Sequence, residues 1–255
     1  MRASGLVLAG LITLTSAALI YHRANPSVKT QIVQYQSGDE TVSGFLALPE
    51  GKGPFPAVII IHEWWGLNNW IKENAKKFAD KGYMTLAVDL YRGQVAADQD
   101  AAHELMRGLP EDRATRDLQA AFAYLVSRPE VKHDKIGSLG WCMGGGYALQ
   151  AALNIPELSA CVINYGRLVT DADLIDKINC PVLGIFGAKD RGIPVKDIAA
   201  FKRACEKAGK NIAIQIYDKS GHAFMNENIA KSYNAKDAKN AWEKTFAFFE
   251  KNLKK

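Results

Sequence analysis

The chain has 255 residues, of which 48% are hydrophobic and 23% charged, the composition of an ordinary globular protein. This length is enough for one substantial core, and we expect residues 26–255 to form a single domain. The formal net charge of +5 is spread over segments that also carry acidic residues, and no basic block is interleaved with aromatic residues, which argues against nucleic acid as a partner.

Residues 1–25 differ in kind from the rest of the chain. One Arg precedes an apolar run from Gly5 to Tyr21, and His22 and Arg23 follow it. This layout is typical of a secretory signal peptide or a membrane anchor, although the run is shorter than the roughly 20 residues of a spanning helix. We therefore expect an exported protein, periplasmic or attached to the membrane through residues 1–25. A buried core helix is the alternative interpretation.

From about Thr30, short apolar segments alternate with amphipathic ones. The segments QIVQYQ and VSGFLALP predict two strands of a hairpin, and the wholly apolar AVIIIH predicts a strand buried on both faces. Further strands are predicted at YMTLAVDL, KIGSLGW, ACVINYG, PVLGIFGA and IAIQIY, and helices at NNWIKENAKKFADKG, EDRATRDLQAAFAYLVSRP, MGGGYALQAAL, DADLIDKI, VKDIAAFKRACEKAG and the C-terminal segment. This alternation predicts an α/β fold with a mostly parallel central sheet and helices on both faces.

A single cysteine stands where the strand KIGSLGW ends and a helix begins. The segment GWCMG, residues 140–144, has the form G-x-nucleophile-x-G of the elbow in α/β-hydrolases, with Cys142 in place of Ser. The glycines permit the sharp turn that exposes such a nucleophile. The helix that follows points its positive end at the sulfur, and the backbone N–H of Met143 can be offered to a developing oxyanion. The pentapeptide predicts that Cys142 is a nucleophile.

An acid and a base follow Cys142 at the ends of two later strands. PVLGIFGA runs into Asp190, and IAIQIY runs into a loop that contains His222. The chain order of nucleophile, acid and histidine is that of the α/β-hydrolases, and ligands of parallel sheets bind beyond the carboxyl ends of the strands. Taken singly, Asp190 could be a turn or cap residue and His222 a solvated loop residue. Together with Cys142 they predict a catalytic triad.

The other three cysteines show no pattern of a metal site. Cys161, Cys180 and Cys205 are widely spaced, without a CxxC motif or a histidine at ligand spacing, so we predict neither a metal nor a cofactor. Export would permit disulfides, but the apolar surroundings of these residues favour buried free thiols.

These segments together resemble the dienelactone hydrolases, the carboxymethylenebutenolidase-like family of the α/β-hydrolase superfamily. The resemblance runs through IIIHEWWGLNNWIKENAKKFADKGYMTLAVDLYRG, GSLGWCMGGGYALQAAL, PVLGIFGAKD, SGHAFMNEN and NAWEKTFAFFEKNL. It implies an α/β-hydrolase fold with Cys142 as nucleophile, Asp190 as acid and His222 as base. It also implies that Glu63 swings toward the nucleophile and takes its proton when substrate arrives. The backbone N–H of Trp64 would then complete the oxyanion hole.

The segment HEWWG is informative apart from the resemblance. Glu63 follows an apolar strand and precedes two tryptophans, which favours partial desolvation and a raised pKa. The alternative is a strand-end carboxylate paired with His62 or a lysine. Trp64, Trp65 and Trp70 are either packing residues or the lining of an apolar substrate pocket. On the second interpretation we assign Trp65 to substrate binding.

Two positions bear on the substrate. The resemblance implies that relatives acting on the dienelactone bind its carboxylate with two arginines, one shortly after the DLY strand and one four residues after the catalytic histidine. Arg92 can supply the first, or it is a surface residue, and Asn226 occupies the second. A neutral amide cannot replace the guanidinium fork. We assign both residues to substrate binding and expect a substrate other than the dienelactone.

The sequence thus predicts a monomeric hydrolase that cleaves a small ester or lactone through a Cys-His-Asp triad and an acyl-enzyme. The alternatives are a non-catalytic small-molecule-binding protein on a hydrolase scaffold, a thiol redox protein, and a hydrolase of larger esters or acyl-peptides. Substrate size would depend on the loops predicted at residues 95–110 and 225–235.

Overall fold

The computed structural model describes residues 28–255, and the predicted signal peptide or anchor at residues 1–25 lies outside this range. Residues 28–255 form one eight-stranded sheet that helices cover on both faces. Within them, no helix combines the length and the apolar character needed to span a membrane.

The strands lie in the spatial order β1-β2-β4-β3-β5-β6-β7-β8. Their bounds are β1 (Lys29–Ser37), β2 (Glu40–Leu48), β3 (Phe55–Ile61), β4 (Met84–Val88), β5 (Val131–Trp141), β6 (Ala160–Asn164), β7 (Val182–Gly187) and β8 (Ile212–Tyr217). Strands β3 to β8 are parallel to one another, whereas β2 is antiparallel to both β1 and β4. The predicted hairpin and the mostly parallel sheet are confirmed.

Seven α-helices accompany these strands in the described range. Their bounds are α1 (Asn69–Asp80), α2 (Gln99–Arg107), α3 (Glu111–Val126), α4 (Met143–Asn154), α5 (Ala172–Asp176), α6 (Val195–Lys207) and α7 (Ala235–Phe249), which a π-helical turn continues (Glu250–Lys254). Helix α2 lies where the sequence predicts a loop, and that prediction is wrong. Ala102, Leu105 and Met106 stand at the spacing i, i+3, i+4 on one face of this short helix, although only Ala102 is fully buried.

Strand β3 shows how the sheet separates two cores. Its residues from Ala57 to Ile61 are wholly inaccessible to solvent. Ala57, Ile59 and Ile61 pack with residues of α3, α4 and α6, while Val58 and Ile60 pack with residues of α1 and α7 on the other face. Burial of each of the valine and isoleucine side chains stabilises the fold by roughly 1.5–3 kcal/mol. The prediction of a strand buried on both faces is confirmed.

Aromatic side chains of α7 pack against α1. The ring of Phe78 lies 4.8 Å from that of Phe246, 5.7 Å from that of Phe249 and 6.0 Å from that of Trp242. Leu253, in the π-helical turn, is fully buried in the same cluster. Helices α1 and α7 therefore form one layer on this face of the sheet.

Candidate active site

Four predicted site residues follow four different strands. Glu63 comes after β3, Cys142 directly after β5, Asp190 after β7 and His222 after β8. Because these strands are parallel, their carboxyl ends share one edge of the sheet, where ligands of α/β folds bind. The structure thus brings to one edge residues that are far apart in sequence.

Cys142 occupies a strained turn between β5 and α4. Its φ of 56° and ψ of −120° lie in a region that residues other than glycine rarely adopt. A Cβ at Gly140 would overlap the carbonyl oxygen of Gly144, and a Cβ at Gly144 would overlap the carbonyls of Ile61 and His62. Glycine is therefore needed at both positions for α4 to begin so close to β5 and to the end of β3.

The predicted oxyanion-hole donors belong to the two segments that meet at Gly144. Met143 is the first residue of α4, so its N–H has no acceptor within the helix. The N–H groups of Gly145 and Gly146 donate to the Cys142 carbonyl at 3.0 and 3.3 Å and thereby complete the first turn. Trp64 lies in the loop that leads from β3 to α1. The roles of Met143 and Trp64 as oxyanion donors stay predictions.

His222 and Asp190 are joined by a short hydrogen bond. Nδ1 of His222 lies 2.7 Å from Oδ2 of Asp190, while Oδ1 of Asp190 accepts from the N–H groups of Gly192 at 2.8 Å and Ile193 at 3.1 Å. Burial raises the pKa of Asp190, but its hydrogen bonds, with that of His222 first, outweigh burial and hold this pKa below its ordinary value. The carboxylate is therefore ionised and fixed in orientation.

The surroundings of His222 favour its charged form. Partial burial lowers the pKa of the imidazole, but the hydrogen bonds with Asp190 and Cys142 outweigh burial and raise the pKa to about 10. The ring of Tyr165 meets the imidazole edge-on with the centroids 5.2 Å apart. Cys142 thus lies beside an imidazolium that can donate a proton.

The loops after β7 and β8 are bonded to each other. The N–H of Lys189 donates to the carbonyl of Ser220 at 2.9 Å, and the Ser220 hydroxyl donates to Asp237 of α7 at 2.7 Å. The first loop carries Asp190 and the second carries His222. These contacts hold the acid and the histidine in one rigid arrangement.

Glu63 follows the end of β3 and is shielded from water. It is 2% exposed, and its Oε2 accepts a hydrogen bond from Nδ2 of Asn226 at 2.6 Å. Its Oε1 is buried without a hydrogen-bond partner among residues 28–255. Burial raises the pKa of Glu63 to about 7, and the hydrogen bond from Asn226 opposes part of this rise. The raised pKa agrees with the expectation from the sequence.

The three tryptophans of this region have different environments. Trp64 and Trp65 are half-buried with their rings 5.0 Å apart, and Trp64 also meets His103 of α2 edge-on at 4.7 Å. Trp70 is buried and packs on Trp141, so it is a packing residue. The predicted role of Trp65 in substrate binding stays a prediction.

The side chain of Arg92 is already bound within the protein. Its guanidinium donates to Asp117 of α3 at 2.6 and 3.2 Å and to Glu40 at 2.6 Å. Partial burial lowers the pKa of Arg92, but these hydrogen bonds outweigh it and raise the pKa above its ordinary value. The structure therefore places Arg92 in an ion-pair network that joins α3 to β2. Asn226, which was also assigned to substrate binding, is engaged with Glu63.

Two tyrosines near the site are absent from the sequence predictions. Tyr165 follows β6, is fully buried and has a φ of 39°. Burial raises the pKa of its hydroxyl well above the ordinary value, and the nearby charges of Glu63 and Cys142 raise this pKa further. Tyr91, after β4, donates from its hydroxyl to the sulfur of Met143 at 3.1 Å. Both residues follow parallel strands of the sheet, and this position in the sequence was the signal that could have placed them near the site.

The remaining cysteines lie buried as free thiols away from this edge. Burial raises the pKa of Cys161 well above its ordinary value, that of Cys180 to about 12 and that of Cys205 to about 11. Because the thiolate is the reactive form, these three thiols are inert at neutral pH.

The α/β architecture and this strand-end site are those of the α/β-hydrolases. The chain belongs to the dienelactone hydrolase family, whose sequence model matches residues 42–253. Proteins from Methylorubrum extorquens and Aquifex aeolicus, each named "Putative carboxymethylenebutenolidase", are 32% identical to it. The alignments cover 83% and 88% of this chain and 77% and 99% of those proteins. The resemblance inferred from the motifs is confirmed.

Solved structures agree with the family. A dienelactone hydrolase-like promiscuous phosphotriesterase from metagenomic libraries matches with a TM-score of 0.82 and 25% identity, over 89% of this chain and 99% of that one. The predicted α/β-hydrolase fold is therefore confirmed.

Proposed function

We propose that the protein cleaves a carboxylic ester or lactone of a small molecule, with Cys142 as nucleophile, His222 as acid and base, and Asp190 as the group that orients His222. The observation that carries the proposal is the 2.7 Å hydrogen bond between His222 and Asp190 beside a cysteine held in an elbow turn. Membership of a hydrolase family supports it. The predicted domain of residues 26–255 would carry all of this chemistry.

The pKa values of Glu63 and His222 suit different proton transfers. A carboxyl group with a pKa of about 7 accepts a proton readily near neutral pH, whereas an imidazole with a pKa of about 10 enters the reaction already charged. We therefore assign removal of the Cys142 thiol proton to Glu63. Two observations support this assignment: Oε1 of Glu63 has no hydrogen-bond partner among residues 28–255, and Glu63 and Cys142 both lie near enough to Tyr165 to raise its pKa.

Acylation begins when the Cys142 sulfur attacks the carbonyl carbon of the substrate. The carbonyl oxygen takes up negative charge, which the backbone N–H groups of Met143 and Trp64 stabilise. The bond to the leaving oxygen then breaks, and His222 donates the proton of Nε2 to that oxygen. The products of this half-reaction are the free alcohol, or the opened lactone, and a thioester on Cys142.

Deacylation reverses the role of the histidine. Neutral His222 takes a proton from water, the hydroxide attacks the thioester carbon, and the carbon–sulfur bond breaks to release the acid. Asp190 stabilises the imidazolium that forms again. Glu63 has meanwhile kept the thiol proton and can return it to Cys142 at the end of the cycle. These side chains and water complete every step.

The leader adds a proposal that rests on sequence alone. We propose that residues 1–25 direct the enzyme to export and that it works in the periplasm or at a membrane. Fractionation of cells that express the full chain, followed by N-terminal sequencing of the protein, tests this proposal. Recovery of the intact chain in the cytoplasm would contradict it.

The proposed chemistry is tested by intact-mass spectrometry with a panel of activated esters and lactones that includes the dienelactone. We expect an acyl adduct that forms and clears on the wild type, accumulates or forms slowly on His222→Ala, and is absent from Cys142→Ala. A protein that binds these compounds without adduct or turnover would instead be a non-catalytic binding protein. Equal turnover by wild type and Cys142→Ala would exclude Cys142 as the nucleophile.

A further inference from the structure

His62 is a fully buried histidine that directly follows β3 and has no part in the mechanism above. Its Nδ1 lies 2.6 Å from the backbone carbonyl oxygen of Glu63, and its Nε2 lies 3.3 Å from the backbone nitrogen of Leu90. A carbonyl oxygen only accepts hydrogen bonds, and a backbone N–H only donates them. Nδ1 of His62 therefore carries the proton, and Nε2 accepts from Leu90.

The surroundings of His62 keep the imidazole neutral. Burial lowers its pKa below the ordinary value, and the hydrogen bond with Glu63 opposes only part of this change. The ring of Tyr91 meets the imidazole edge-on, with the centroids 4.8 Å apart. A second proton, on Nε2, would face the N–H of Leu90. His62 is thus a fixed donor to the main chain of Glu63 and is not placed to act as a base.

The carbonyl that His62 binds belongs to the peptide bond between Glu63 and Trp64. This peptide bond is trans, so its C=O and its N–H lie in one plane and point in opposite directions. The N–H of Gly66 donates to the same carbonyl at 3.1 Å. The two donors fix the plane of the peptide, and with it the direction of the Trp64 N–H. They also polarise the peptide, which strengthens that N–H as a donor.

The N–H of Trp64 has no backbone acceptor within residues 28–255, and the same holds for the N–H of Met143. A Cβ at Gly144 would overlap the carbonyl of His62, so the segment that leads to Trp64 lies against the first turn of α4. Both N–H groups are therefore available to a substrate oxygen at the elbow.

We propose that His62 is a positioning residue of the oxyanion hole, which holds the peptide between Glu63 and Trp64 so that the Trp64 N–H points at the oxygen of the attacked carbonyl. The inference rests on the proposed hydrolase function and gives a role to a residue outside the triad. His62 touches neither substrate nor nucleophile in this role and acts through the backbone. The competing interpretation is a core histidine that only satisfies two buried backbone groups.

Two substitutions separate the two hydrogen bonds of His62. The side-chain amide of asparagine takes the place of Nδ1, so His62→Asn keeps a donor for Glu63 and loses the acceptor for Leu90. The longer glutamine brings its amide to the place of Nε2, so His62→Gln keeps an acceptor for Leu90 and loses the donor for Glu63. Each variant loses one buried hydrogen bond, and the thermal midpoints of the two should fall by similar amounts.

The measurement compares 4-nitrophenyl acetate with O-(4-nitrophenyl) thionoacetate, in which sulfur replaces the carbonyl oxygen. Sulfur is a weak hydrogen-bond acceptor, so the thionoester gains little from the oxyanion hole. In His62→Gln we expect kcat/KM for the ester to fall by about tenfold and that for the thionoester to stay nearly unchanged. In His62→Asn the ratio of the two values should stay close to that of the wild type.

Alkylation of Cys142 by iodoacetamide provides a control, because this reaction forms no oxyanion. Its rate, followed by intact-mass spectrometry, reports only on activation of the thiol. We expect the same rate in the wild type and in both variants.

The outcomes separate this inference from the proposed function. The inference is overturned if His62→Gln slows the ester and the thionoester equally, if both variants slow the ester equally, or if His62→Gln alone slows alkylation, which would show an effect through the thiol. It is also overturned, without any variant, if the wild type prefers the ester over the thionoester no more than a free thiol does. Absence of hydrolysis and of acyl adducts with both compounds in the wild type overturns the proposed function itself.

Discussion

Asn226 donates a 2.6 Å hydrogen bond from its Nδ2 to Oε2 of Glu63, and both side chains are 2% exposed. The bond joins the loop that carries His222 to the end of β3. It also stabilises the ionised form of a carboxyl group that burial would otherwise keep protonated. Asn226 therefore keeps the pKa of Glu63 below the value that burial alone would give it.

Replacement of Asn226 should shift the pH dependence of hydrolysis. For the wild type we expect kcat/KM to rise near pH 7 as Glu63 loses its proton, and to fall near pH 10 as His222 loses its own. Asn226→Leu removes the hydrogen bond, so the pKa of Glu63 should increase and the rising limb should move up by about one pH unit. The profile of a neutral ester measures this shift.

The exposed neighbour Asn228 provides the control for that experiment. Asn228→Ala leaves the bond between Asn226 and Glu63 in place and should leave both limbs unchanged. If Asn226→Leu lowers the rate equally at every pH, its effect is structural and the role in tuning Glu63 is refuted.

Glu63→Gln should stabilise the fold at high pH only. Because the pKa of Glu63 is about 7 in the folded protein and 4.5 ordinarily, the folded state binds more protons between these values, and stability falls as the pH rises through that window. Above it, the ionised group costs about 3 kcal/mol, and glutamine is free of this cost. Urea unfolding at about pH 4 and about pH 8 should show the gain at the higher pH alone. If Glu63→Gln raised the free energy of unfolding equally at the two pH values, the ionisation of a buried Glu63 would not be the cause of the gain.

Asp190→Asn should abolish most activity without unfolding the protein. The asparagine would present its amide group to Nδ1 of His222, hold the wrong tautomer and no longer stabilise the imidazolium, so kcat/KM should fall by about 10³–10⁴. Asp218→Asn, at an exposed position, is the matched control and should be near wild type. Steady-state kinetics and thermal melting separate the two effects, and a loss of less than about tenfold would exclude Asp190 from the mechanism.

Two glycines of one helix should respond in opposite ways to alanine. A Cβ at Gly144 would overlap the backbone of Ile61 and His62, so Gly144→Ala should destabilise the fold by several kcal/mol, on the order of 3, and reduce turnover. A Cβ at Gly146 would meet its nearest atoms, in Arg167, at 3.4 Å, an ordinary contact. Gly146→Ala should therefore stabilise α4 by roughly 0.5–1 kcal/mol. Equal unfolding midpoints for the two variants would contradict the conclusion that Gly144, unlike Gly146, has no room for a Cβ.

The elements that position the site were predictable because their signals are local. An apolar run such as AVIIIH must be buried on both faces, and the glycines around Cys142 mark a close approach within a few residues of the sequence. Helix α2 was missed although Ala102, Leu105 and Met106 stand at helical spacing, because the helix is short and buries only Ala102 completely. Tyr165 was missed because an aromatic residue at a strand end looks the same in sequence whether it packs in the core or against a histidine.

The environment of Arg92 depends on contacts between distant parts of the chain. Its partners lie in β2 and α3, and nothing near Arg92 in the sequence distinguishes a guanidinium engaged by Asp117 and Glu40 from one that faces a substrate. The sequence shows that Asn226 is uncharged, but it does not show that Asn226 bonds to Glu63. Such pairings are fixed by tertiary structure.

The bonds between the loops after β7 and β8 make the acid and the histidine a single mechanical unit. Lys189 bonds to Ser220, and Ser220 bonds in turn to Asp237 of α7. A deletion or graft that altered one loop alone would pull His222 away from Asp190, whereas exchange of both loops together with the start of α7 would carry their alignment intact. Recombination between family members should therefore tolerate crossover points before β7 or within α7 far better than between the two loops.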